Sequence, residues 1–270
     1  MATTAPDITA HALPPISAVE QWRALTQRSI VAAMRSGEIV VAIVSPVFLA
    51  ICFYLPLRTV MNMAPGMNYA QFLMPIICLQ SVGFAGTSAA MRAAMDEYHG
   101  ISTRLRTMPV PGWVPVLARL GANVVLLLVS LLWATIAGFA IGWRPGDAGL
   151  WGTIGFFGVT LVVGLLLSVG ADALALLSSS PQATSQTMAL PQLILGMVST
   201  GFVPEERFPD WIRPFARNQP VSQFVSAMRG FNEGHVSWAV MGPPVYWTIG
   251  LTALVSLMVG LAVRKRKRER

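Results

Sequence analysis

What most constrains this chain is where its few charges sit. Between residue 39 and the basic run 264–270 the charged positions cluster between six long apolar stretches. Each stretch can cross a hydrocarbon core of roughly 30 Å as a helix rising about 1.5 Å per residue. Only 11% of the 270 residues are charged and 54% are hydrophobic. A soluble helical protein lays charge along one face of each helix. Charges gathered between apolar runs instead predict an all-α polytopic membrane protein, a single helical bundle without a second domain.

The six spans are expected at about 39–57, 69–91, 113–143, 150–177, 183–203 and 236–263. Residues 1–16 are rich in Ala, Thr and Pro and lack the basic start and apolar core of a cleavable signal, so a short disordered arm is expected there. Residues 17–36 mix Val19, Trp22, Leu25, Ile30 and Val31 with Arg23, Arg28 and Arg35, the pattern of an amphipathic helix lying in the interface. With the N-terminus inside, thirteen Lys and Arg fall on the cytoplasmic side, including six in the tail 264–270, against six outside. That bias places a multi-pass protein in the cytoplasmic membrane with both termini in the cytoplasm. The tail follows an apolar helix directly, which favours anionic lipid over nucleic acid as its partner. Cys52 and Cys78 lie within apolar stretches and behave there as small hydrophobes.

Catalytic chemistry finds little purchase. A P-loop needs a lysine after its glycines, and the only lysines are Lys265 and Lys267 in the tail. His11, His99 and His235 have neither ligand spacing nor a carboxylate cluster. No catalytic residue, no metal and no bound cofactor are expected.

Three features could carry function. Asp96, Glu97, Ile101, Arg104, Leu105, Arg106 and Met108 lie in a charged segment, with Ile101, Leu105 and Met108 on one helical face and Pro109 and Pro111 ending it. This is a docking helix or a bare connector. Outside, Pro204, Phe208, Trp211, Phe215, Gln219, Pro220 and Arg229 belong to a proline- and aromatic-rich stretch that breaks into short pieces dipping into the outer leaflet, or forms a packed cap. Asp172, the one acid within an apolar span, is expected to pair with Arg119 and lock two neighbouring helices, with a proton-relay role as the alternative. Gly138 with Gly142, and Gly164 with Ser168, offer faces for close helix approach. Met61, Met63, Met67, Phe72 and Met74 suggest a greasy lining near the outer half of the first two spans.

The six-span plan, the segment with Gly100, Arg104, Leu105, Met108, Pro109 and Val110, and the run Gly201, Pro204, Phe208, Pro209, Trp211, Pro214, Gln219, Pro220, Ala227, Arg229, Gly230 resemble the permeases of type-2 ABC exporters. The resemblance is to the daunorubicin-resistance group, in particular the B permease of three-component actinobacterial systems, and spans nearly everything from Gln21 onward. It implies a permease without its own engine: ATP and Mg bind a separate ATPase dimer, and a second permease, related but different, completes the pathway. It assigns the segment from Asp96 to Met108 as the coupling helix and the stretch from Pro204 to Arg229 as a re-entrant pair of outer helices. It implies a hydrophobic or amphiphilic cargo, from anthracycline-type drugs to complex lipids such as phthiocerol dimycocerosate. The alternative class, a proton-coupled secondary drug transporter, needs more intramembrane ionisable groups and an inverted repeat.

Overall fold

The computed structural model describes residues 17–61, 68–178 and 180–268; the side chains of Val60, Met61, Ser102, Thr103, Arg106, Arg266 and Lys267 are outside that description. The expected arm 1–16, Met63 and Met67 therefore lie outside the described residues. What is described is helical, with no strand among these residues.

Helix α1 (Ala18–Arg35) starts at a capping box: Ser17 Oγ accepts from the Glu20 N–H at 3.2 Å, and a Glu20 carboxylate oxygen accepts from the Ser17 N–H at 3.1 Å. Gly37, at φ 80°, turns the chain into α2 (Glu38–Leu49). A π-helical turn (Ala50–Tyr54) and α3 (Leu55–Met61) continue the same rod. The widened turn lies just ahead of Pro56, whose ring would press on the carbonyl four residues back in a regular helix.

Helix α4 (Tyr69–Tyr98) is capped by Asn68 and forms the axis of the bundle. Its apolar window is 78% buried, against 6% for the last helix, so the others assemble round α4. It touches α2, α6 (Trp113–Ile141), α7 (Gly149–Leu177) and α8 (Pro181–Met197). Short α5 (Ile101–Arg106) hangs from its C-terminal end behind Gly100 at φ 68°. Beyond α8 come a 3₁₀ turn (Glu205–Arg207), α9 (Arg213–Asn218), α10 (Pro220–Glu233) and α11 (Trp238–Arg268).

Among the described residues, five helices are long and apolar enough to cross a membrane: Glu38–Thr59, Tyr69–Tyr98, Trp113–Ile141, Gly149–Leu177 and Trp238–Lys265. The span expected at 183–203 is instead a 17-residue helix, Pro181–Met197, because Val198, Ser199 and Thr200 turn off the axis. Span three ends two residues early. Gly142, at φ 99°, caps α6, and Trp143 folds inward to 2% exposure among Phe139, Phe156 and Phe157. Gly142 is thus a turn residue, not a packing surface. Gly138 does admit Met74, and Gly164 admits Leu127 and Val82. Met74 is fully buried in that contact, so it belongs to the core and not to an open lining. At the other end α11 runs on through the basic tail to Arg268, and Lys265 Nζ donates to the Leu176 carbonyl at 3.1 Å. A cation there satisfies acceptors that the end of α7 leaves open.

Candidate functional site

At one end of the bundle α1, α4, α5 and α6 meet. Helix α4 continues seven residues past the predicted end of its span, so Asp96 and Glu97 ride on its last turns. Gly100 reverses the chain into α5, and Pro109 and Pro111 bring it to α6. Ile101 and Leu105 turn inward; with Asp96, Arg28 of α1 and Arg119 of α6 they surround a cavity of about 20 Å³. Arg104 and Met108 point outward and are exposed, while the Arg106 side chain is outside the described set. The apolar face read from the sequence is therefore split: Ile101 and Leu105 fasten α5 to the bundle, and Met108 remains free beside Arg104.

Two ion pairs lie behind this face. Arg119 Nε approaches Asp172 Oδ1 to 3.7 Å, bringing α6 and α7 together at largely buried side chains. A second constellation, not foreseen from the sequence, joins three helices: Arg92 of α4 contacts Glu38 of α2 through one guanidinium nitrogen and Asn123 of α6 through another. Glu38 and Arg92 each stand one step outside an apolar run, where sequence reads them as loop charges. Their pairing was detectable only in their shared depth, Glu38 opening the first span as Arg92 closes the second.

The opposite end of the bundle is a stitched cap. Phe202 is buried and its ring stacks on Phe53 at 3.9 Å, while its carbonyl accepts from the Tyr69 hydroxyl at 3.0 Å. Arg229 on α10 reaches across to donate from Nη2 to the carbonyls of Phe72 at 2.9 Å, Thr200 at 3.1 Å and Gly201 at 3.3 Å. Its guanidinium also lies over the Phe72 ring, 3.6 Å from the centroid. Burial lowers its pKa below that of a free guanidinium, and the Glu233 charge opposes that shift. Arg229 thus clamps the end of α8 and the start of α4 onto α10.

The other outer residues separate by role. Pro204 precedes the 3₁₀ turn, Phe208 follows it, and Trp211 and Phe215 are exposed. Gln219 and Pro220 form the α9–α10 junction, with Gln219 buried. Asn232 accepts from the Gly146 N–H at 2.9 Å and ties the α6–α7 turn to the same cap. Phe231 fills the space left by Gly155 on α7.

Residues 20–231 match the ABC-2 type transporter family. The chain is 31% identical over 264 residues to the doxorubicin resistance ABC transporter permease protein DrrB of Mycobacterium tuberculosis (strain H37Rv), covering 93% of this chain and 91% of that one. It is 27% identical over 229 residues to the probable doxorubicin resistance ABC transporter permease protein DrrC of the same strain, covering 83% and 82%. With the daunorubicin resistance ABC transporter permease protein DrrB1 of Streptomyces coeruleorubidus it shares 27% over 191 residues, 70% of this chain and 64% of that one. A match over most of the chain, carried by a bundle whose described residues include five membrane-length helices, makes this protein a member of the ABC-2 type transporter family of multi-pass permeases.

Proposed function

We propose that the protein is the permease subunit of an ATP-driven exporter that moves a hydrophobic or amphiphilic cargo, a complex lipid or an anthracycline-type drug, out of the cytoplasmic membrane. ATP and Mg are handled by a separate ATPase dimer, and a second, related permease completes the path. Helix α8 serves as the fifth of six crossings, with the termini in the cytoplasm. Its 17 residues rise about 26 Å, short of a full hydrocarbon core, and the cap stitched to its end makes up the remaining depth. In this reading α9 and α10 are the re-entrant outer pair, and Arg119–Asp172 is a structural lock.

The observation that carries the proposal is the shape of α5. A single turn and a half of helix is fixed to the end of the axial α4 through Ile101 and Leu105, while Arg104 and Met108 face outward. A partner pressing on that exposed edge displaces α4 directly, because only the two-residue turn of His99 and Gly100 intervenes. A push applied there reaches every helix packed on α4.

Co-expression and co-purification with ABC ATPase subunits from the same genome, followed by ATPase and export assays in vesicles, tests the reading. Arg104→Glu with Met108→Glu is expected to reduce recovery of the ATPase at least tenfold while the permease still inserts. Normal ATPase recovery and normal export from that variant would overturn the coupling assignment.

A further inference from the structure

On the flank of the bundle, α4, α7, α8, α10 and α11 enclose a groove of about 710 Å³, within the range of roughly 300–1,000 Å³ that holds a small organic ligand. Val163 and Leu167 form its floor, Met188 and Leu195 of α8 one wall, and Leu251 and Leu254 of α11 the other. None of the described residues that line it is charged.

Gln219 lies in this groove, 3% exposed, and neither its amide oxygen nor its amide nitrogen has a hydrogen-bond partner. Two of its polar neighbours are held by protein partners. Gln192 accepts from the Thr87 hydroxyl at 3.0 Å and donates to the Gln80 carbonyl at 3.3 Å, and Trp247 Nε1 donates to the Asn218 carbonyl at 3.0 Å. A buried amide with both ends open is costly, and a ligand that supplies an acceptor and a donor removes the cost.

We propose that this groove is a binding site for an uncharged long-chain amphiphile, its chain lying between α8 and α11 and its hydroxyl and ester groups at Gln219. The amide nitrogen donates to the ester carbonyl and the amide oxygen accepts from the hydroxyl, so a hydroxyl-bearing acyl ester of the diacylglycerol type fits. An ion would enter an apolar wall without a countercharge and is disfavoured. The inference deepens the exporter reading and rests on it for the ligand's origin. The same chemistry serves a bilayer lipid held in place or cargo on its way out.

The test uses the full-length permease in nanodiscs, alone and with its ATPase, and a diacylglycerol carrying a diazirine midway along one acyl chain. Photolabelling is expected on the peptides holding Met188, Leu195 and Leu254. The matching phosphatidic acid should label these at least tenfold less, and Gln219→Leu should lower diacylglycerol labelling about fivefold. Leu254→Trp, which narrows the groove and leaves Gln219 intact, should do the same and carries the test if Gln219→Leu elutes as aggregate. Labelling that falls when ATP is added identifies cargo; labelling indifferent to ATP identifies a resident lipid, and either result upholds the site. Equal labelling of the Gln219→Leu variant, equal labelling by phosphatidic acid, or label spread evenly onto α2 would overturn it. Absence of a co-purifying ATPase would instead count against the exporter reading and leave the labelling result standing.

Discussion

At the scale of single residues, two arginines do work that their positions in the sequence do not announce. Arg229 directs one nitrogen at three carbonyls and lays its plane over Phe72. Lysine carries the charge without the planar fork or the stacking surface, so Arg229→Lys is expected to cost about 1.5–3 kcal/mol, read as a lower thermal unfolding midpoint in detergent. Arg92 sits between Glu38 and Asn123 at side chains about nine-tenths buried. Arg92→Met leaves a buried carboxylate without its cation and should destabilise by about 3–5 kcal/mol, whereas adding Glu38→Gln should recover part of that loss. A double-mutant cycle on the same midpoint checks the pair; additive effects would mean that the two side chains are not coupled.

At the scale of elements, the sequence marks boundaries well where a glycine or proline must stand and poorly where packing decides. Gly100 and Gly142 both adopt positive φ and end helices where the chain must reverse. Met108, by contrast, shares a helical face with Ile101 and Leu105 on paper, yet the six-residue α5 ends before that face can be completed. The turn after α8 depends on close approach: a Cβ on Gly201 would stand 2.6 Å from Ile76 Cβ. Gly201→Ala should therefore cost about 1–3 kcal/mol through overpacking, measured as loss of the thermal midpoint. Ile76→Ala in the same chain removes Cγ1 and Cδ1, which stand 2.7 and 2.9 Å away, but keeps Cβ, so it should recover only part of that loss; full recovery in the double variant would mean that the Cβ contact is not the cause.

At the scale of the whole molecule, the described residues are organised round one buried rod, with the α5 segment at one end and the α8–α10 cap at the other. With Cys52 and Cys78 replaced by serine, Trp211→Cys should react in intact cells with a membrane-impermeant maleimide, and Thr107→Cys only after the cells are opened. The reverse pattern would invert the assigned orientation. The membrane class, the approximate helix positions, the charged segment after α4 and the proline-rich stretch after α8 are all legible in the residues. Apolar length and charge placement are local quantities, read along the chain without knowing what touches what. The meeting of Glu38, Arg92 and Asn123, the burial of Trp143 and Met74, the grip of Arg229 and the shortening of α8 were decided only by tertiary structure. Each joins or displaces segments far apart in sequence, and hydropathy reports how greasy a helix is without reporting which neighbour its faces meet.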